Sequence, residues 1–550
     1  METVSAGNPR LLLVGPCDPA GGEFTFLSPP LGVWRLAGVL ESRGIPASVF
    51  DPNCCEGPPE PAFAKLLAEG CYDVVGFSTT GMTLRFDLAL AHLAQRLSPR
   101  TLLIAGGMEA TFDPETLLRL GPFGLVVLGE GERPLLELAA RFRSGAALDG
   151  IPGTAVLGPD GSVERLPQAA LSREELRDAI FRTPYERMPY RRYWQKLERA
   201  YRIGALPVKA AREARLAEIR SVRLITLNYC PMGCSFCSST NFLNDAQGGT
   251  ARIARLDASE CLSMIRRIVA AYPDVRTIIF QDDIFVFTAD NRLLPLCQGI
   301  VEAKRRGELP RGLQFISTNR IDAMTPERLT AMRSAGFRVL GFGVENFSLR
   351  VLGEFNKAHI HPFIEPILSE ALRLGITPFL DMILTSPRCG VEDLAETIRQ
   401  GYRWTLAGCE AGMYPYVIPF SGAAMARDPS LKPATVYASR RVAGTAIVWD
   451  QPEKILPFDD DVRRAILEIE ADFESRLAFL ETRVAHLPSR VRSLVWAACA
   501  VPVLQRLGCA MPDEDEVAEE LFARLPGLDA VEMAAVRRDF GGLAAERAIL

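Results

Sequence analysis

Apolar residues in the first 165 positions form short runs, and helical patterns separate those runs. Each run has the length of a strand buried on both faces, as in a parallel sheet. The intervening segments, such as 86–97 and 133–142, repeat their apolar residues with the period of a helix. This alternation predicts a doubly wound, Rossmann-like (flavodoxin-like) α/β domain. The predicted strands are residues 11–15, 47–51, 72–78, 101–107 and 125–132.

Small and polar residues stand where most of these strands end. Because ligands bind at the carboxyl ends of parallel strands, such residues let a large ligand approach the backbone. A glycine can also simply end a strand, but several such ends together favour a large flat or nucleotide-like ligand. No G-x-G-x-x-G motif opens the first helix, so a dinucleotide is not favoured. The candidate binding residues are Ser78, Thr79, Thr80, Gly81, Gly106, Gly107, Gly129, Glu130 and Gly131.

A second series of strand and helix patterns begins after residue 215. Its strands recur at nearly regular spacing with helical segments between them, which predicts a partial (β/α)6 barrel of the TIM type. In such barrels the chemistry gathers at the carboxyl ends of the strands. The predicted strands are residues 222–227, 276–281, 313–317, 339–343, 378–384 and 412–419.

The segments outside these two series are mostly helical. Residues 170–215 are charged and helical, and we interpret them as a linker packed across two domains. Beyond Pro429 the chain is again mostly helical, with a long amphipathic segment at 460–485. The predicted parts are therefore an α/β domain at 1–165, a linker at 166–215, a barrel at 216–430 and a helical domain at 431–550.

Composition narrows the class of protein. Lys plus Arg is 62 and Asp plus Glu is 67, so the net charge is −5 and nucleic acid is not the expected partner. The N-terminus lacks the pattern of a signal peptide, and no apolar window predicts a membrane-spanning helix. Thirteen cysteines in so long a chain are typical of a reducing cytoplasm rather than of a disulfide framework. We therefore expect a cytoplasmic protein.

Three of those cysteines stand together directly after the first barrel strand. Cys230, Cys234 and Cys237 have C-x3-C-x2-C spacing, with Pro and Gly between them that predict a loop. Three thiolates can hold three irons of a [4Fe–4S] cluster and leave the fourth iron free for a small molecule. A zinc knuckle would need a fourth ligand, and the next cysteine is only Cys261. Three buried, inert thiols are the other alternative, but core packing explains this spacing poorly.

Polar residues follow the other barrel strands as well. They form four groups at 281–283, 317–320, 345–346 and 385–386. A single acidic or amide residue at such a point is usually a helix N-cap, and Asp283 or Asn346 could be that. Four groups on the same rim as an open iron site instead predict a binding site.

The cysteine spacing in a βα-barrel resembles the signature of the radical S-adenosylmethionine superfamily, and Phe236 before the last cysteine fits it. The first domain resembles the cobalamin (B12)-binding domain found in one branch of that superfamily, that of the cobalamin-dependent methyltransferases. The motifs that carry this likeness are Phe77–Thr80, Gly106-Gly107, Gly129–Glu132, Phe280–Phe285 and Gly343–Glu345. The resemblance covers roughly residues 10–430.

This resemblance implies three cofactors: a [4Fe–4S] cluster on the three cysteines, S-adenosylmethionine on the free iron, and cobalamin on the first domain. Many cobalamin domains supply a histidine to cobalt from D-x-H-x-x-G, but here the stretch is Asp18–Gly22 with Ala20 in that place. We therefore expect cobalamin to be base-off with no histidine on cobalt, above the loop Thr79–Arg85. Relatives also often carry histidine in place of Glu109. The residues implied for S-adenosylmethionine are Gln281, Asp282, Ser317, Arg320 and Glu345.

The resemblance implies a cobalamin-dependent radical methyltransferase that moves a methyl group to an unactivated carbon or phosphorus centre of a small molecule. A radical cyclase, similar to the anaerobic porphyrin-ring cyclases, is the alternative enzyme. A cobalamin or Fe–S sensor is the non-enzymatic alternative. An enzyme of this kind would also need a reduced flavodoxin- or ferredoxin-type electron donor. The sequence predicts neither the substrate nor the oligomeric state.

Overall fold

A computed structural model describes residues 7–18, 28–201, 203–205, 209–484 and 487–547. Its first part is a seven-stranded sheet in the order β2-β1-β3-β4-β5-β6-β7. The strands are β1 (Leu11–Val14), β2 (Ala47–Phe50), β3 (Val74–Thr79), β4 (Leu102–Gly107), β5 (Leu125–Val127), β6 (Thr154–Leu157) and β7 (Val163–Leu166). The helices are α1 (Leu31–Ser42), α2 (Pro59–Gly70), α3 (Leu84–Leu97), α4 (Met108–Phe112), α5 (Pro114–Leu120) and α6 (Glu132–Ser144).

Strands β1 to β5 are parallel and have the order 2-1-3-4-5 of flavodoxin-like folds, which confirms the predicted fold class. Alternate residues of β1 explain its unbroken apolar run. Leu11 and Leu13 join one hydrophobic cluster, while Leu12 and Val14 join another. The sheet is therefore buried on both faces, and helices cover each face. Strands β6 and β7 are antiparallel and form a hairpin at its edge.

The charged segment that follows packs between the two sheets. It consists of α7 (Arg173–Arg182), α8 (Tyr190–Ala200) and α9 (Lys209–Ile219). In α8, the Tyr193 hydroxyl donates to Asp51 of the first sheet, at 2.9 Å to each carboxylate oxygen. Trp194 Nε1 donates to the Ser221 carbonyl at 3.0 Å, where the second sheet begins. These aromatic side chains thus join the two α/β units.

The second sheet has six parallel strands in the order β13-β12-β11-β10-β9-β8, an open barrel as predicted. Its strands are β8 (Ser221–Leu224), β9 (Thr277–Phe280), β10 (Gln314–Asn319), β11 (Phe337–Glu345), β12 (Thr377–Ile383) and β13 (Glu410–Tyr414). Its helices are α10 (Ser239–Gln247), α11 (Ala258–Ala271), α12 (Leu293–Arg305), α13 (Pro326–Ala335), α14 (Leu349–Glu354), α15 (His361–Arg373) and α16 (Val391–Ala407).

The remaining chain is mostly helical, with one antiparallel hairpin that the helical pattern did not predict. Its elements are α17 (Ala424–Arg427), β14 (Thr435–Arg441), β15 (Val448–Ile455), α18 (Asp460–Arg483), α19 (Ser489–Arg506), α20 (Glu514–Phe522) and α21 (Ala530–Arg547). The tip of the hairpin reaches back to the first domain. There, Val442 and Trp449 pack into the hydrophobic cluster that contains Phe77.

Three strands end at least three residues before their predicted ends, and the first is β8, which stops at Leu224 rather than at residue 227. Strand β5 stops at Val127, because Leu128 to Gly131 leave the sheet as a loop, and Gly129 has a left-handed backbone with φ +68°. Strand β13 begins at Glu410 and ends at Tyr414, earlier than predicted, and the apolar residues beyond it continue as a loop. Within the described residues, no helix is both long and apolar enough to cross a membrane.

Candidate active site

A cavity of about 450 Å³ lies at the carboxyl edge of the first sheet, between the ends of β1, β3, β4 and β5. Leu13, Ile104 and Val127 form apolar parts of its wall. Strands β1 and β3 are neighbours at the point where the strand order reverses, which is where doubly wound folds bind ligands. Of the predicted binding residues, the structure brings together in this wall Ser78, Gly106, Gly107, Gly129, Glu130 and Gly131. Thr79, Thr80 and Gly81 are not part of it.

Two glycines of this wall have backbones that a side chain would strain. At Gly107, φ is +98° and a Cβ atom would lie 2.7 Å from the Thr79 carbonyl oxygen. At Gly129, φ is +68° and a Cβ atom would lie 2.5 Å from the Ala246 Cβ of the barrel. At these two positions the wall is therefore bare backbone, and the Gly129 N–H fixes it by donating to Thr111 Oγ1 at 2.8 Å. Such a cradle fits a bulky cofactor that must approach the main chain.

Replacing Gly107 with alanine is expected to destabilise the protein by about 1–3 kcal/mol, because both the left-handed backbone and the Thr79 carbonyl oppose a Cβ atom. Gly106→Ala is the matched control. Its Cβ would meet nothing closer than Val127 at 3.7 Å, an ordinary contact. Chemical denaturation of the cofactor-free protein measures both changes, and equal losses for the two variants would contradict this account.

The loop after β3, predicted to face the lower side of the corrin, is held by contacts on two sides. Thr83 Oγ1 donates to buried Asp87 at 2.6 Å, within the first domain. Gln451 Nε2 of the hairpin donates to the Gly81 carbonyl at 2.5 Å. The loop therefore depends on a segment that lies 370 positions away in the chain. Ala20, at the position of the missing histidine, lies outside the described residues.

Glu109 stands beside this loop and joins the first domain to the segment after β13. It is 8% exposed, and its Oε1 accepts a hydrogen bond from the Ser421 hydroxyl at 3.0 Å. Burial raises the pKa of this carboxyl to about 7, against the lowering effect of that hydrogen bond.

The free energy of unfolding is expected to depend on pH through Glu109. Its pKa is higher in the folded state than the ordinary value of about 4.3, so its contribution is fully present below about pH 4 and is lost as pH rises to about 7. The loss amounts to about 4 kcal/mol at most. Glu109→Gln should remove this part of the pH dependence, as measured by denaturation from pH 4 to pH 8. An unchanged pH profile in the variant would contradict the prediction.

The cysteine loop between β8 and α10 is tied down by the segment after β11. The Ser235 hydroxyl donates to the Glu354 carbonyl at 2.7 Å, and Asn356 Nδ2 donates to the Gly233 carbonyl at 3.0 Å. The ring of Phe236 packs edge-on against Phe355, with centroids 5.0 Å apart. These contacts hold the backbone that presents the three cysteines.

The three thiols lie close enough to influence one another's ionisation. All three are partly buried and free of disulfides. The pKa of Cys230 is raised to about 12, mainly by burial. The Met232 N–H opposes this rise, and Asp283, Cys237 and Cys234 add to it. The described residues hold no group of three His, Cys, Asp or Glu arranged around a single metal ion. An iron–sulfur cluster takes one thiolate on each iron, so these thiols need not converge on one point. Three neighbouring cysteines are therefore suitable ligands for such a cluster.

Asp282, predicted to contact S-adenosylmethionine, is fully engaged inside the protein. Its Oδ1 accepts from the Thr226 N–H at 2.6 Å and from the Leu227 N–H at 3.1 Å, and its Oδ2 accepts from the Thr226 hydroxyl. Burial raises its pKa to about 6, and the nearby Arg292 lowers it. These bonds fasten the end of β8, from which the cysteine loop starts.

Glu345 and Arg320 lie beside the cysteine loop, together with a lysine that sequence reasoning missed. Lys357 Nζ lies 2.8 Å from Glu345 Oε1 and donates to the Gly343 carbonyl at 2.6 Å. Both side chains are about nine-tenths buried. Lys357, Glu345 and Arg320 all affect the ionisation of Cys234. No motif marks Lys357, because it follows a short helix and reaches the rim only through its long side chain.

The other predicted rim residues are divided between the rim and the interior. The side chain of Ser317 pairs with Asn319, and both are buried. Gln281 is exposed at the end of β9. Asn346 is fully buried; its Nδ2 donates to the Ile383 carbonyl at 2.8 Å, and its Oδ1 accepts from Thr397 Oγ1. It is therefore a structural residue.

The two sites face each other. Ile225, just before the cysteine loop, and Phe242, just after it, line the same cavity as the glycine-rich strand ends of the first domain. Phe242 also contacts Phe112 of α4, with ring centroids 6.3 Å apart. A ligand in the cavity would thus touch the segment that carries the three cysteines.

Comparison with known proteins supports both halves of this arrangement. Residues 18–139 match the family model of the B12 binding domain. An uncharacterised methyltransferase of Pyrococcus horikoshii is 24% identical over 377 residues, which are 67% of this chain and 69% of that protein. The anaerobic magnesium-protoporphyrin IX monomethyl ester cyclase of Rubrivivax gelatinosus is 23% identical over 430 residues, 75% of this chain and 69% of the cyclase.

Two solved structures share the architecture. OxsB, a cobalamin-dependent S-adenosylmethionine radical enzyme with aqua-cobalamin and S-adenosylmethionine bound, matches with a TM-score of 0.67 and 15% identity, over 99% of this chain and 80% of OxsB. TsrM from Kitasatospora setae, a radical S-adenosylmethionine methyltransferase with cobalamin and a [4Fe–4S] cluster bound, has a TM-score of 0.60 and 14% identity, over 82% and 83%. The chain has the fold of the cobalamin-dependent radical S-adenosylmethionine enzymes. The family model thereby confirms the cobalamin-binding part of the resemblance, and the two structures confirm the predicted fold.

Proposed function

We propose that this protein is a cobalamin-dependent radical methyltransferase acting on a small molecule. The observation that carries the proposal is the shared cavity wall, in which Ile225 and Phe242 flank the cysteine loop and face the glycine-rich strand ends. When bound, the three cofactors would supply a radical and a transferable methyl group. Methyl transfer to an unreactive centre needs those two sources on either side of one substrate, and this placement is an effect of proximity.

We assign the protein groups as follows. Cys230, Cys234 and Cys237 would hold the iron–sulfur cluster. Gln281, Ser317, Arg320 and Glu345 are proposed to line the S-adenosylmethionine site, and Lys357 would hold Glu345 in place. Asp282 would keep its predicted place near that site but act by fixing the start of the cysteine loop. Ser78, Thr79, Thr80, Gly81, Gly106, Gly107, Gly129, Glu130 and Gly131 are proposed for cobalamin.

Cobalamin is proposed to be base-off with no histidine ligand, because Ala20 stands where histidine would be. The four parts bounded at residues 165, 215 and 430 are proposed as the functional units. A reduced flavodoxin- or ferredoxin-type protein is proposed as the electron donor, which implies a cytoplasmic setting.

Asp381 is proposed to handle protons at the substrate. It lies on β12. The pKa of its carboxyl is raised to about 7, mainly by burial and also by Glu345, against the lowering effect of Lys357. A group with such a pKa can both accept and donate a proton near neutrality. Tyr414 of β13 is its neighbour. This side chain is 45% exposed, and its pKa is raised by the burial of its other part and by Asp381.

Anaerobic reconstitution with iron, sulfide and cobalamin tests the proposal. Four irons and one corrin per chain are expected, with release of 5′-deoxyadenosine from S-adenosylmethionine under reduction. S-adenosylhomocysteine should also form, because a second S-adenosylmethionine has to remethylate cobalt. Without 5′-deoxyadenosine the radical assignment fails. If 5′-deoxyadenosine forms without S-adenosylhomocysteine, methyl transfer fails and the cyclase alternative takes its place.

A further inference from the structure

Glu130, in the wall of the cavity, has one carboxyl oxygen without a partner. Its Oε2 accepts from the Leu171 N–H at 2.7 Å, which fixes the side chain. Its Oε1 is buried and has no hydrogen-bond partner among the described residues. The residue is only 7% exposed. Leaving a buried polar atom unpaired is unfavourable, so this oxygen indicates that a ligand group completes the site.

The charged groups around Glu130 decide its protonation. Arg35 of α1 also lines the cavity, but its Nε is 2.6 Å from Glu132 Oε1 and so faces another carboxylate. The pKa of Glu130 is raised to about 7, chiefly by burial and also by Glu132, against the lowering effects of Arg35, the Leu171 N–H and Arg133. Near and below neutral pH the carboxyl therefore carries a proton that it can donate.

The rest of the cavity selects the kind of partner. Leu13, Leu36, Ile104 and Leu135 make its wall largely apolar. Among the polar residues of the wall, Arg35 faces Glu132, and the Thr183 and Tyr185 hydroxyls donate to backbone carbonyls. Glu130 Oε1 is a buried oxygen of this wall that has no partner among the described residues. This combination suits an aromatic ring with a single acceptor atom. The lower base of cobalamin is such a ring, since its benzimidazole nitrogen is a free acceptor when it does not bind cobalt.

We propose that Glu130 recognises the lower base of cobalamin, and that its Oε1 donates a hydrogen bond to the free benzimidazole nitrogen. This inference rests on the proposed function, because it requires base-off cobalamin in the cavity. Glu130 is then a specificity residue for the nucleotide tail, and its effect is independent of the corrin ring. Cobalamin affinity should fall as pH rises through about 7 and the donor proton is lost.

The test compares affinity for cobalamin with affinity for cobinamide, which keeps the corrin ring but lacks the tail. Equilibrium dialysis of the full chain gives the ratio of the two at pH 6 and pH 8.5. For the natural protein the ratio should drop about tenfold between these values, the change that one hydrogen bond of about 1.4 kcal/mol produces. Glu130→Gln should hold the ratio constant, since its amide can accept from Leu171 and still donate into the cavity. Glu130→Met should lower the ratio about tenfold at pH 6.

Glu132→Gln is the control for general electrostatics. Removing that negative charge should lower the pKa of Glu130. The ratio of cobalamin affinity to cobinamide affinity should then fall at a lower pH than in the natural protein, while its value at low pH stays the same. If the natural protein binds neither corrin, the proposed function fails. If it binds both, and Glu130→Met leaves the ratio unchanged, this inference fails while the proposed function stands. A Glu130→Gln ratio that still falls with pH would also overturn it.

Discussion

Replacing Cys234 with alanine is expected to abolish 5′-deoxyadenosine formation and to lower the iron content below that of the natural protein. Cys234 is the middle cysteine of the triad and a partly buried thiol, and the charged side chains of Lys357, Glu345 and Arg320 influence its ionisation. Without its thiolate, one iron of the proposed cluster would lose its protein ligand, and the cluster would no longer be held at three corners. Iron analysis and product analysis after anaerobic reconstitution measure the two losses.

Cys297→Ala is the matched control for this experiment. Cys297 is a free cysteine that is 1% exposed inside α12, away from the triad, and burial alone raises the pKa of its thiol. It should keep the iron content and the activity of the natural protein, apart from a small loss of stability from the cavity it leaves. Equal iron loss in both variants, or full activity in Cys234→Ala, would contradict the cluster assignment.

Much of the fold could be predicted because burial on both faces leaves a plain pattern. The run Leu11–Val14 is apolar at every position because two hydrophobic clusters share it. Helix α11 begins at Ala258 because Asp257 and Glu260 form a capping box, a start signal that is visible in the sequence. Periodicity and caps are local, so the sequence displays them directly.

The hairpin of β14 and β15 could not be predicted in the same way. Tyr437 and Val448 are about half exposed, so the two strands show no clear alternation of apolar and polar residues. What fixes the hairpin is remote: Val442 and Trp449 pack into the first domain, and Gln451 bonds to Gly81. Contacts across hundreds of positions leave no period in the sequence.

The sequence predicted which types of residue form the candidate site, but not which hydrogen bonds and ion pairs those residues make. The cysteine spacing and the glycine-rich strand ends follow from the chain, and in the structure Ile225 and Phe242, which flank the cysteine loop, share one cavity wall with those strand ends. Spacing alone could not reveal that Asp282 already has its partners, or that Lys357 reaches Glu345. Hydrogen-bond occupancy depends on side-chain directions, which only the folded chain defines.

Replacing Lys357 with methionine is expected to destabilise the cofactor-free protein by about 3–5 kcal/mol, because it leaves a buried carboxylate without its charge partner. Glu345 is 8% exposed, and its backbone is left-handed with φ +63°, so the side chain cannot easily turn towards water. The ammonium group also holds the Gly343 carbonyl, which would lose its donor. The free energy of unfolding, from urea titration, gives the size of the loss.

A double variant and a second lysine separate the ion pair from simple loss of a long side chain. Adding Glu345→Gln to Lys357→Met removes the stranded charge, so the double variant should be more stable than Lys357→Met alone. Lys304→Met is the matched control. Among the described residues, Lys304 donates to the carbonyls of Leu313 and Ala335 and pairs with no carboxylate, so its loss should cost about 1–2 kcal/mol. If Lys357→Met costs no more than Lys304→Met, the Glu345–Lys357 pair does not organise the rim beside Cys234, and its proposed role in positioning Glu345 is wrong.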